Sequence, residues 1–279
     1  MEAASVMDVI SQKQAFIICT ASFAFCLLLQ YVVNPMLTSA FMPKYKLLCY
    51  SDKLDWNSRV TSTIHAIIIT VNCLYVVIEP AVWMNPAMEY SRVLIAMCLI
   101  CIGYILADTL VIFMHWHYIG SIPFLVHHAA TTTACAVTVI TSWWTWFTAL
   151  RLLAEFSTTF VNLRWFLQKL DIPKTSRIAV WNGLTLVASF FACRIMLIPV
   201  YWLSVYNLIY SPTWLLLNWW KYFGIACPIF LDTLNIYWFG KLVRGAVEIL
   251  WLRKGNTSRY NAGYASKLKM CEGDTKKDA

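Results

Sequence analysis

The sequence predicts an all-α, polytopic transmembrane helical bundle with seven spans, a luminal or extracellular N-terminus and a cytosolic C-terminus. Three observations predict it. Of 279 residues, 60% are hydrophobic and 13% charged, with a mean hydropathy of +0.61; a soluble domain carries about 25% charge. Apolar runs of the length that crosses a bilayer, about 20 residues, recur between Pro, Gly and Asn breakers. Basic residues gather in alternate loops, as the positive-inside rule requires. Trp, Tyr and Phe make up 15% of the chain, which suits aromatic belts at the two membrane surfaces.

Taken in order, the spans fall at about 15–33, 59–79, 91–114, 122–141, 146–167, 178–203 and 214–239. Asn34-Pro35 and Pro43 end the first, Glu79-Pro80 and Pro86 the second. Gly120 and Pro123 precede the fourth, Pro173 the sixth and Ser211-Pro212 the seventh. The fifth holds Arg151, Glu155, Asn162 and Arg164, so an amphipathic helix lying in the interface is its alternative. Three units result: 1–54, a span and a basic loop; 55–253, six spans; and 254–279, a basic tail.

Lys44, Lys46 and Lys53 occupy the first loop, Lys169, Lys174 and Arg177 the loop at 168–177, and nine Lys or Arg the segment from 240 onward. Seven spans put all three on one side. The opposite side has Lys13 and Arg92, and loop 204–213 has no charge. The net charge of +8 therefore reports topology, and nucleic acid is not an expected partner. The end, Lys276-Lys277-Asp278-Ala279, matches a dilysine retrieval signal. The expected location is the endoplasmic reticulum membrane, with coat-protein recognition of Lys276 and Lys277. Ten cysteines, seven of them inside apolar runs, read as buried thiols with no disulfide or zinc spacing. The first apolar run is too long for a cleavable leader.

Ionisable groups inside the bilayer cost at least about 2.5–3.5 kcal/mol each, so each is a candidate functional residue. They are His65, Asp108, His127, His128, Arg151, Glu155, Arg194, Lys221 and Asp232. Depth counted at about 1.5 Å per residue puts His65, Asp108, His127, His128 and Asp232 in one layer of the cytosolic half, with Glu155 just above. A polar chamber opening to the cytosol is expected there. Adjacent His127 and His128 point about 100° apart on a helix and need not share a partner. A neutral imidazole can take a proton, attack an acyl carbon or ligate a metal; helix-packing hydrogen bonds are the structural alternative. Arg151 and Glu155, four apart, are expected to pair. Arg164 is expected to snorkel to the cytosolic interface. Arg194 and Lys221 read as luminal snorkelling or headgroup contacts, with a retinal-type lysine a remote alternative for Lys221.

Trp56-Asn57-Ser58-Arg59 with Ser62 and His65, Gly103-Tyr104 with Asp108, His127-His128, and Asn235 before Trp238 together resemble the TLC domain. That six-span module occurs in ceramide synthases and translocation-associated membrane proteins. The resemblance covers about residues 55–253 plus one preceding span. It implies an acyl-CoA-facing cavity in which His127 and His128 act, with acyl-CoA as co-substrate and no bound cofactor or metal. Ceramide synthases carry a His-Asp-x-Ser-Asp run on the next span; here Ala154-Glu155-Phe156-Ser157-Thr158 keeps one acid and the serine. The candidate catalytic residues are His127, His128, Glu155 and Asp108. The candidate lipid- or substrate-binding residues are His65, Arg59, Ser157, Asn162 and Asp232.

Three functions fit: binding of membrane lipid or an acyl chain in lipid homeostasis, acyl-CoA-dependent acyl transfer, or cargo receptor traffic, which one TLC relative is thought to perform. The half-kept acidic motif favours binding. A G-protein-coupled receptor shares the span count, but His115-Trp116-His117 stands where an Asp/Glu-Arg-Tyr would follow the third span.

Overall fold

The computed structural model describes residues 10–253, with side chains to 248. Most of the basic tail, including Lys276 and Lys277, lies outside the described residues.

Eight helices carry the fold: α1 Gln12–Phe41, α2 Tyr50–Ile78, α3 Arg92–Met114, α4 Ile122–Thr141, α5 Thr145–Leu152, α6 Glu155–Lys169, α7 Arg177–Ile209 and α8 Lys221–Arg253. Short turns of helix connect some of them. Five (α1, α2, α3, α4 and α7) are long and apolar enough to cross a membrane. At 33 residues, α8 is about 50 Å long at a rise of 1.5 Å, but it carries Asp232, Asn235 and Lys241.

The expected fifth span is two helices. Ser142 and Trp144 enter it with left-handed φ of 56° and 65°, and a turn at Leu153-Ala154 separates α5 from α6. The sequence Thr-Trp-Phe-Thr-Ala-Leu-Arg-Leu is apolar nearly all round, and every residue of α5 except Arg151 is buried. A helix apolar on all faces belongs inside a bundle. It is therefore neither one rod with α6 nor an amphipathic surface helix.

Neighbour contacts run α2–α3–α4–α8–α7–α6 and back to α2. These six helices form a closed ring. Helix α5 packs against α2, α4 and the second half of α7, plugging one end of the ring. Helix α1 packs outside on α3. Gly103 makes that packing possible: a Cβ there would sit 2.4 Å from the Cys19 carbonyl oxygen and 2.7 Å from the Ser22 Cβ. Small residues let membrane helices approach this closely, and Ser22 Oγ donates to the Ile100 carbonyl at 2.8 Å across the contact.

Phe16, Ile78, Trp181, Leu203 and Phe230 are more than half exposed on the outside, while Asn57, His65, Ser157, Asn162 and Arg194 are buried inside. This apolar-out, polar-in arrangement is stable only where lipid is the solvent.

Prolines adjust three helices. Pro35 and Pro199 follow π-helical turns at Leu29–Val33 and Phe191–Ile195. Pro228 sits inside α8 and cannot bond the Gly224 carbonyl one turn earlier. The Tyr201 hydroxyl takes its place, donating to that oxygen at 2.7 Å.

Candidate functional site

The ring encloses a cavity of about 420 Å³ to which all six helices contribute. Asp55, Arg59, Phe124, Arg164 and Lys241 line its outer part, and exposed Lys241 shows that it reaches the surface there. His65, Tyr104, Asp108, His127 and His128 line the middle. Beyond lies a second pocket of about 60 Å³, bounded by Trp144, Phe147, Leu152, Phe223, Gly224 and Leu231 at the α5 plug. His127, Thr131, Glu155 and Arg194 line both. These four residues, from α4, α6 and α7, form a waist between the chambers.

The two histidines have different surroundings. Their ring centroids are 6.0 Å apart and inclined at 51°, as the rotation between helix neighbours predicts. His128 Nδ1 lies 2.8 Å from Thr109 Oγ1, and its Nε2 lies 3.6 Å from Asp108 Oδ2. Asp108 in turn accepts from Ser58 Oγ at 2.6 Å. His128 is thus hydrogen-bonded at Nδ1, with the Asp108 carboxylate close to its other ring nitrogen. Besides His128, His127 has an edge-to-face ring contact with Trp238, at 5.7 Å, and no hydrogen-bond partner among the described residues. Glu155 likewise has no hydrogen bond or ion pair among them, and Thr131 Oγ1 is buried without a partner. Three of the four waist residues therefore have no side-chain hydrogen-bond partner among the described residues, beside empty space.

His65 stacks on Tyr104 with centroids 4.0 Å apart. Asn162 ties α6 to α2: its Oδ1 accepts from Arg59 at 3.2 Å, and its Nδ2 donates to Thr63 Oγ1 at 3.0 Å and to the Arg59 carbonyl at 3.2 Å. Arg59 also pairs with Asp55 at 3.0 Å and lies over the Trp165 ring. Asp52 and Lys169 pair at 2.5 Å beside this rim. Of the predicted residues, His65, Arg59, Asp108, His127, His128, Glu155 and Asn162 thus converge on one cavity.

Four expectations are corrected. Asp232 does not line the cavity beside the histidines: it meets Arg151 through two bonds of 2.6 and 3.1 Å and accepts from Trp202 Nε1 at 2.8 Å. Arg151 consequently does not pair with Glu155; the turn at Leu153-Ala154 breaks the continuous helix that an i,i+4 pair needs. Ser157 does not line the cavity but stands behind Arg194, accepting from its Nε at 2.8 Å. Arg194 itself is no snorkelling residue: it is 6% exposed, held in the waist by Ser157, Asn235 and Thr158. Its position near the middle of the sixth predicted span was the available signal, since a charge there is too deep to reach either surface. Tyr104 and Asn235 are site residues that a search for charge alone overlooks.

A closed ring of apolar-faced helices around a polar chamber defines a multi-pass membrane protein with an internal site. The family model of the TLC domain matches residues 55–244, a stretch that begins within α2 and takes in all six helices of the ring. The chain belongs to the TLC domain family. It is 35% identical over 231 residues to TLC domain-containing protein 4-B of Danio rerio, covering 78% of this chain and 83% of that protein. It is 30% identical over 256 residues to TLC domain-containing protein 4 of Homo sapiens, covering 88% and 93%. No solved structure matches it.

Proposed function

We propose that this protein binds a single-chain membrane lipid in the ring cavity, with the polar end at the waist and the basic rim facing the cytosol. One observation carries this reading: His127, Thr131, Glu155 and Arg194 converge at the junction of two chambers inside an apolar ring. Buried polar groups without partners are unfavourable in so dry a place unless a ligand meets them. The larger chamber has the volume of an ordinary ligand site. Ile105, Ile112, Phe124, Phe190, Trp238 and Leu242 offer a chain apolar walls. Arg59, Arg164 and Lys241 line the outer end, which under the positive-inside rule is the cytosolic end. Native mass spectrometry of the protein taken gently from membranes is expected to show one retained lipid per chain, lost in Thr131→Trp, which fills the waist. A lipid-free protein, or one whose lipid survives that substitution, would refute the reading.

A second reading, acyl transfer from acyl-CoA, is favoured by the free pair His127 and Glu155. His127 would take the proton of an acceptor hydroxyl or amine as it attacks the thioester carbonyl, and CoA would leave as the thiol. Glu155 would stabilise the imidazolium. His128, hydrogen-bonded to Thr109 and beside Asp108, would orient and not react. Purified protein given acyl-CoA and lipid acceptors is expected to transfer the acyl group and to lose transfer in His127→Ala. Absence of transfer with every acceptor class leaves binding as the function.

A further inference from the structure

We propose that Arg194 is the anion-binding element of the waist and that its ligand is the carboxylate of a long-chain fatty acid. The inference rests on the cavity being a lipid site and names the headgroup that it takes. A guanidinium has five N–H donors in a rigid fork. At Arg194 three are committed: Nε to Ser157 Oγ at 2.8 Å, Nη1 to Asn235 Oδ1 at 3.0 Å and Nη2 to Thr158 Oγ1 at 3.1 Å. Each terminal nitrogen keeps one N–H. Donors on the two terminal nitrogens are what the two oxygens of a carboxylate meet in the bidentate mode.

The charge is as informative as the fork. Ser157, Thr158 and Asn235 are all neutral, and among the described residues no carboxylate lies within ion-pair distance of Arg194. Arg59, Arg151 and Lys169, by contrast, each have one. A cation that is 94% buried, by its 6% exposure, and faces both chambers without a counter-ion is a binding site for an anion. The Phe190 ring, 5.0 Å from the guanidinium carbon, flanks it.

The helix is shaped to place it. Residues Phe191–Ile195 form a π-helical turn, a local insertion of the kind found at functional sites. Pro199, which cannot bond the Ile195 carbonyl, follows it. The turn brings Arg194 into the waist instead of out toward lipid.

Charge balance decides between a carboxylate and a phosphate. Arg194 brings a single positive charge to the waist. A phosphate monoester brings about −1.5 to −2, a carboxylate −1. The planar, singly charged group fits both the fork and its charge.

The test compares three ligands of one tail length, hexadecanoic acid, hexadecan-1-ol and hexadecyl phosphate, on the full chain in detergent, by native mass spectrometry titration. The acid is expected to bind about tenfold or more tightly than the alcohol, as a charge-assisted bidentate bond implies, and more tightly than the phosphate. In Arg194→Gln the acid is expected to fall to the alcohol's affinity while the alcohol is unchanged; Arg194→Lys, which keeps charge but loses the fork, should fall between. Equal binding of acid and alcohol by the unaltered protein overturns the Arg194 assignment and leaves the lipid site standing. Tighter binding of the phosphate overturns the carboxylate. Binding of none of the three overturns both this inference and the lipid reading. The first comparison needs no variant, so a misfolded Arg194→Gln would not leave the idea untested.

Discussion

Asp232→Asn is expected to destabilise the bundle by about 3 kcal/mol, the low end for breaking one partner of a buried ion pair. The carboxylate is almost wholly enclosed, with side-chain exposures of 12% for Arg151 and 9% for Asp232. It satisfies two guanidinium N–H groups and the Trp202 indole at once. Asparagine keeps one acceptor oxygen but no charge, so the guanidinium, lying 4.1 Å above the Tyr201 ring, becomes an uncompensated buried cation. The pair joins the plug helix α5 to α8, and Trp202 adds α7, so the loss falls on three elements together. At about 2–4 °C per kcal/mol for a domain of this size, the midpoint of thermal unfolding in detergent should drop by about 6–12 °C. The double variant Arg151→Met with Asp232→Leu removes both charges and should recover most of the loss, because well-packed apolar replacements of buried pairs are often near neutral. An Asp232→Asn midpoint within about 1 °C of the parent, or a double variant no better than the single, would show that this contact does not hold the plug.

Three further outcomes follow from named contacts. Gly103→Leu should detach α1 from α3, since even a Cβ there would meet the Cys19 carbonyl at 2.4 Å; a cost of about 1–3 kcal/mol is expected for such overpacking, with proteolysis of α1 at least several-fold faster, and an unchanged rate would contradict the packing. Gly224→Ala drives a methyl to 2.5 Å from the Trp144 ring and should lower the melting midpoint while leaving binding of short-chain lipids intact; equal stability would mean that the ring moves freely. If acyl transfer is found, His127→Ala should abolish it, whereas His128→Ala should reduce it by about tenfold to a hundredfold by loosening the wall that Thr109 and Asp108 support; equal loss in both would remove the distinction between a free and a held histidine.

The membrane class, the helix positions and most of the site were legible in the chain because each depends on local chemistry. A run of apolar residues declares its length, and a His, Asp or Arg inside it is costly wherever the helix goes. His65, Asp108, His127 and His128 were placed together by counting rise along rods. The same counting misplaced Asp232 and Arg194, for one reason: depth along a helix says nothing about its azimuth, the direction in which a side chain points. The Phe191–Ile195 π turn alters that azimuth. The turn at Leu153-Ala154 had no Pro or Gly to announce it, so Arg151 and Glu155 looked like neighbours on one helix.

The sequence by itself determined that this protein lives in a bilayer, which segments are helical and which residue types must be kept from lipid. Those follow from transfer free energies and backbone hydrogen bonding, properties of each segment alone. Only the tertiary structure decided that six helices close into a ring, that α5 enters it as a plug, and that Asp232 neutralises Arg151 while Arg194 is left with two free N–H groups over the waist. Pairing is a matter of which side chains meet across helices far apart in the chain. The local pattern carries no record of that meeting.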